Sequence, residues 1–224
     1  MDAAAGSGLS GLGPVKPRLR GVIHQWSFFV AVVAGVLLVV LAPAGRATTA
    51  SAIYAVALAG LLGTSALYHR VTWRPAVRAW MRRMDHSMIF VLIAGTYTPF
   101  ALLLLSGSTQ VVVLAGVWAG AAAGVVFALV WVRAPKWLSA VAYVSLGWFA
   151  MVASPQIVER AGVAALVLIF GGGLFYTAGA VVYAAGRPDP RPAVFGYHEV
   201  FHVLVVVAAV VHFVAVAAFA LPHG

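Results

Sequence analysis

Apolar positions in this 224-residue chain come in long unbroken blocks, without the alternation of a half-buried strand or the single stripe of a soluble helix. The hydrocarbon core of a bilayer, about 30 Å thick, takes roughly 20 apolar residues of helix. Seven blocks meet that test, at about residues 22–42, 50–69, 85–105, 110–132, 137–154, 161–184 and 198–221. The links are short and carry helix breakers: Pro43, Gly45, Ser106-Gly107-Ser108, Pro135, Pro155 and Pro188-Asp189-Pro190. The pattern predicts an all-α, seven-transmembrane-helix bundle over residues 16–224, preceded by a disordered Gly/Ala/Ser-rich tail over 1–15. Ala42-Pro43-Ala44 faintly resembles a cleavage site. The run before it is too long for a signal peptide, so the first block is read as a retained span.

Composition agrees with this reading. The chain is 63% hydrophobic and 8% charged, with a mean hydropathy of +1.02, whereas soluble domains are about 25% charged. The net charge of +9 comes without a dense basic module outside the loops, which excludes nucleic acid and suits anionic lipid headgroups. There is no cysteine, so a metal would have to use His, Asp, Glu or water.

Lysine and arginine set the orientation. With the N-terminus inside, the inner segments hold Lys16, Arg18, Arg20, Arg70, Arg74, Arg78, Arg82, Arg83, Arg133, Lys136, Arg187 and Arg191. The outer segments hold only Arg46 and Arg160. The chain is expected to lie N-in and C-out, as a multi-pass protein of the cell's inner (plasma) membrane. Its Ala/Val/Gly/Arg-rich composition suits a high-GC bacterium. G-protein-coupled receptors and retinal pumps have the opposite orientation, and a retinal protein needs a lysine in its last helix. The lysines here are Lys16 and Lys136.

This topology gives four ionisable residues one depth. His69 ends the second block, Asp85 opens the third, and His198 and His202 open the seventh. Ionisable groups at membrane depth are costly and usually functional. His198 and His202, at i and i+4, share one helix face and can bind one metal ion. With His69 they would make three nitrogen ligands, leaving a fourth position to water, whose pKa zinc can lower to about 7. Asp85 would orient that water and take its proton, and Ser65, at i−4 from His69, would donate to a ligand or to a developing oxyanion. A lone interfacial histidine is more often a polar anchor. His24 and His212 are therefore read as packing or interhelical hydrogen-bond residues. His86, next to Asp85, points about 100° away around the helix.

Three elements resemble the hemolysin III family, which is grouped with the progestin and adipoQ receptors. They are Ser65-Ala66-Leu67-Tyr68-His69; Asp85-His86 with Ala94-Gly95-Thr96-Tyr97-Thr98-Pro99; and His198-Glu199-Val200-Phe201-His202. The elements are weak singly and specific in this order, and the likeness runs from about residue 16 to the end. It implies Zn2+ on His69, His198 and His202 near the cytoplasmic face, Asp85 holding the water, and Ser65 as a polar neighbour. The related adiponectin receptors and alkaline ceramidases imply hydrolysis of a lipid amide or ester, with membrane lipid as substrate. The family's name implies cytolysis or pore formation, though the chain shows no obvious toxin feature.

Two other readings use the same residues. His198-Glu199-x-x-His202 is literally the zincin motif, with Glu199 as general base of a protease. A pore or transporter would instead place ionisable groups near the midplane, where His212 is the one residue well inside. Among smaller signals, Arg70, Arg74, Arg78 and Arg82 recur every four residues and would face lipid phosphates if the loop is an interfacial helix after Pro75. Gly116, Gly120 and Gly124 permit close helix approach. Gly171-Gly172-Gly173 would leave room for a lipid tail or a kink, and Pro99 would bend the third span.

Overall fold

The computed structural model describes residues 16–224; the expected disordered tail, 1–15, lies outside the described residues. Each long apolar block is a helix, because without water every backbone N–H and C=O needs a partner in its own segment. Among the described residues seven α-helices follow in order: α1 Val22–Leu41, α2 Arg46–Arg70, α3 Pro75–Leu104, α4 Gly107–Val130, α5 Lys136–Phe149, α6 Ser154–Ala185 and α7 Tyr197–Ala215. A 3-10 turn, Ala150–Ala153, joins α5 to α6, and α7 continues through a π turn, Val216–Ala220, into Leu221–His223. The described residues form no strand, only an isolated bridge between Arg191 and Phe195.

Six helical stretches are long and apolar enough to cross a membrane, with Lys136–Ala185 counting as one stretch of 50 residues. This differs from the seven separate blocks of the sequence, and the reason lies between residues 136 and 162. α5 is an α-helix for only 14 residues, ending before the expected Ser154. α6 begins at Ser154, with Pro155 in its first turn, seven residues ahead of the expected 161. Gly162 (φ 81°, ψ 171°) then breaks the helical path, so the apolar block begins where the backbone kinks. α5 and α6 run antiparallel: the Trp148 indole N–H donates to Thr177 Oγ1 at 3.0 Å, and Lys136 Nζ lies 5.6 Å from the Tyr183 ring.

Contacts between links define the two ends of the bundle. At one end, Arg18 N and Leu19 N donate to the carbonyls of Ala193 and Val194, both at 3.1 Å. There too Gly21 rests on His69 and Arg70, Arg83 Nε donates to the Leu129 carbonyl, and Lys136 Nζ donates to the Tyr197 hydroxyl. At the other end, Ser106 N donates to Gln156 Oε1, Arg160 to Ser106 Oγ, and Gly224 rests on Ala47. The termini of α2, α3 and α7 that carry His69, Asp85 and His198 therefore share one end. α3 is 30 residues long, about 45 Å. It takes in the arginine-rich segment, which is a continuous extension of α3 from Pro75 and no separate interfacial helix.

The outer surface is apolar, with Val30, Val40 and Val130 each more than two-thirds exposed, as lipid contact requires. Inside, small residues set the helix spacing. Gly95 of α3 lies against Ala57 of α2, Gly116 and Gly120 of α4 face Phe149 and Leu146 of α5, and Gly124 faces Phe90 of α3. The α4 glycine stripe thus serves packing within the bundle. Gly124→Ala drives a methyl group into the buried Phe90 ring and should cost about 1–3 kcal/mol. Gly171→Ala, with nothing nearby, should be neutral or slightly stabilising. Thermal denaturation in detergent separates the two, and equal melting temperatures would refute this packing.

Candidate metal centre

The last turn of α2 and the first turns of α7 bring three imidazoles together. One ring nitrogen each from His69, His198 and His202 lies within 4.8 Å of the other two. His69 Nε2 and His198 Nε2 are 3.1 Å apart. A tetrahedral ion holding nitrogens at 2.0–2.1 Å spaces them by about 3.3 Å, so this pair already has the separation of two ligands on one cation. His202 is 2% exposed, and its Nδ1 is buried with no hydrogen-bond partner. Such orphans are uncommon, and a bound ion is one of the few things that explains them. The donor set, three neutral nitrogens without sulfur, suits zinc and other borderline divalent ions. These residues fit a metal. Asp85, from α3, places Oδ2 at 3.8 Å from His69 Nε2, beyond a direct hydrogen bond and within the span of a bridging water.

The α7 start is fixed by Glu199, whose role the spacing of the motif does not reveal. Its carboxylate is fully buried, accepts from the Gly196 N–H at 2.8 Å in a capping box, and is bonded by the Arg20 guanidinium. Both oxygens are thereby engaged away from the three histidines. The zincin reading does not fit, because the residue meant to act as general base is a structural cap and counter-ion.

His24, expected to be a packing or hydrogen-bonding residue, belongs to the site. It lies four residues after Arg20 on the α1 side, and its ring stacks on His202 with centroids 3.8 Å apart and planes 14° from parallel. It is 2% exposed and neither ring nitrogen has a hydrogen-bond partner. No helical spacing gave it away, because Gly21, in the left-handed region at φ 79°, separates Arg20 from α1. His86 and His212 stand apart. His86 Nδ1 is 3.4 Å from the Tyr143 hydroxyl, and His212 Nε2–H donates to the Ile169 carbonyl at 2.9 Å with its ring against Gly172.

Ser65, Asp85, His24 and His202 line one end of a cavity of about 120 Å³. Beyond them its walls are mostly apolar, including Leu61, Leu92, Phe100, Phe170 and Val205, with Thr96, Tyr97, Tyr176 and Thr177 among them, as far as His212 and Gly173. His202 and His212 are ten residues apart on α7, about 15 Å. A polar, metal-capable mouth therefore opens into a slot of hydrocarbon character.

A multi-pass helical membrane protein with a buried three-histidine group able to hold a metal ion is the class that this fold and site define. A family model described as Haemolysin-III related matches residues 13–213, and the chain belongs to that family. It is similar to Hemolysin-3 of Bacillus cereus, 31% identical over 191 residues that cover 83% of this chain and 84% of that protein. The Hemolysin-3 homolog of Bacillus subtilis (strain 168) is 35% identical over 131 residues, 58% of this chain and 61% of that one. The human monocyte to macrophage differentiation factor is 24% identical over 168 residues, 73% of this chain and 67% of that protein.

His24→Ala should weaken metal affinity about 10- to 100-fold, as loss of a ligand's supporting contact does. His24→Phe, which preserves the stacked ring, should restore most of it. Competition with a chelating dye measures both. Equal affinity in wild type and His24→Ala would show that the stack does not position His202.

Proposed function

We propose that this protein is a zinc-dependent hydrolase of a lipid amide or ester, working near the cytoplasmic face of a seven-span, N-in membrane domain. The observation that carries the reading is that His202, one of the three grouped histidines, lines a largely apolar slot together with Asp85 and Ser65. That slot offers an acyl chain the environment it has in a bilayer, and the chain's first carbonyl would rest beside the polar residues. The twelve-to-two bias of Lys and Arg supports the orientation. The plasma membrane of a bacterium follows as part of the same proposal.

His69, His198 and His202 would hold the ion. When bound, it supplies Lewis acidity, polarising a carbonyl and acidifying water. Asp85 orients the attacking water and takes its proton. The water oxygen bonds to the carbonyl carbon, the C–N or C–O bond breaks, and Asp85 returns the proton to the leaving amine or alkoxide. Ser65 donates a hydrogen bond to the carbonyl oxygen as charge builds on it. The apolar walls keep bulk water from the acyl chain.

His202→Ala should lose both metal and turnover. Asp85→Asn should keep the metal and lose about 10²- to 10⁴-fold in kcat. Elemental mass spectrometry of detergent-purified protein gives the first readout, and release of fatty acid from a panel of acyl amides and esters gives the second. A metal-free wild type, prepared with zinc and folded, would overturn the centre. Full turnover in Asp85→Asn would overturn the assigned base.

A further inference from the structure

Three cations from three separate segments flank the end of α2 that carries His69. Arg70 follows His69 at the end of α2, and its Nε donates to Gln25 Oε1 at 2.9 Å. Arg78, on the extended start of α3, places its guanidinium carbon 5.5 Å from the centre of the Tyr68 ring, on the other side of His69 in sequence. Lys16 precedes the Gly21 turn that rests on His69 and Arg70. Partial burial, and then Arg78, Arg70 and Arg20 in turn, hold Lys16 below the ordinary lysine value. All three side chains are exposed. Among the described residues none of them has a carboxylate partner: Glu199 is taken by Arg20, and Asp85 lies 3.8 Å from His69 Nε2.

A bias of positive charge toward one membrane side explains arginines in these links. It does not explain why all three flank a metal-capable histidine with no counter-ion among the described residues, when like charges held near one another repel. A ligand anion would relieve that repulsion. A planar carboxylate is satisfied by one guanidinium, whereas a phosphate presents several oxygens to several donors. The three layers then follow in order from the surface: cations, histidines with Asp85, and apolar slot.

We propose that Lys16, Arg70 and Arg78 form a binding site for a phosphate group, seating the headgroup of an amphiphile whose acyl chain lies in the slot. The proposal deepens the hydrolase reading and rests on it only for placing the reacting carbonyl between the two. It predicts a phosphate-bearing lipid as the substrate class.

The test is binding to the full chain in neutral detergent, by native mass spectrometry, with phosphatidic acid, phosphatidylcholine and inorganic phosphate as probes. Phosphatidic acid should bind at about one per chain and outcompete phosphatidylcholine of the same chains by about tenfold or more, as loss of one charge-assisted contact would cost. The Arg70→Gln/Arg78→Gln double variant should lose that preference, whereas Arg133→Gln, removing an exposed arginine at the α4–α5 link, should keep it. Competition by millimolar inorganic phosphate would assign the site to a free phosphate group, and its failure to compete would assign it to a lipid headgroup. Equal binding of the two lipids, or equal weakening by Arg133→Gln, would overturn the site in favour of a diffuse field. The same measurement on His202→Ala separates the two ideas. Phosphatidic acid binding that survives there without metal keeps this site independent of the metal's fate, while a wild type with metal and no preference sinks this site alone.

Discussion

The geometry of the centre depends on how the entry to α1 is tied to the first turns of α7. Two contacts make that tie: Arg20 to Glu199, and His24 stacked on His202. They run in register, four residues apart on one strand of the tie and three on the other, so they act as two rungs between neighbouring faces. Removing one partner of a buried ion pair leaves an uncompensated charge, at about 3–5 kcal/mol. Glu199, with no exposed surface, is in that position. Because Glu199 also caps α7, the same carboxylate fixes the helix start, the register of His198 and His202, and the location of the N-terminal segment with its cations.

Around this tie the bundle separates two kinds of interior. Near the shared end, polar residues from α1, α2, α3 and α7 meet with few hydrogen bonds among themselves, an arrangement that is poor for a static core and good for holding an ion and a reacting group. Farther in, small residues bring helices close and large apolar ones leave a slot. The His212 ring, braced by Gly172 and the Ile169 carbonyl, marks its far limit.

Much of this was legible in the chain because a bilayer imposes strong rules. Block length foretold the helices, and the i, i+4 histidines with the helix ends at one level foretold the meeting of His69, Asp85, His198 and His202. Other features were hidden for physical reasons. Hydropathy registers apolar character and not backbone torsion, so it placed the sixth block at 161 and missed the short helical run before the Gly162 kink. Glu199 sat inside a motif whose usual chemistry disguised a capping role that only the Gly196 N–H and Arg20 reveal. His24 looked like any interfacial histidine, since periodicity says which face a side chain occupies and not which ring it will meet.

One consequence follows from the length of α3. Its first ten residues, Pro75–Met84, stand about 15 Å beyond Asp85 without a break in the helix. Arg78 and Asp85 are seven residues apart and so lie along one stripe of that rod. A helix resists bending over two turns far more than a loop would. A load applied at the guanidinium is therefore carried to the carboxylate as a displacement of the whole rod. Such a part behaves mechanically as a strut, holding Arg78 and Asp85 at a fixed separation along one stripe.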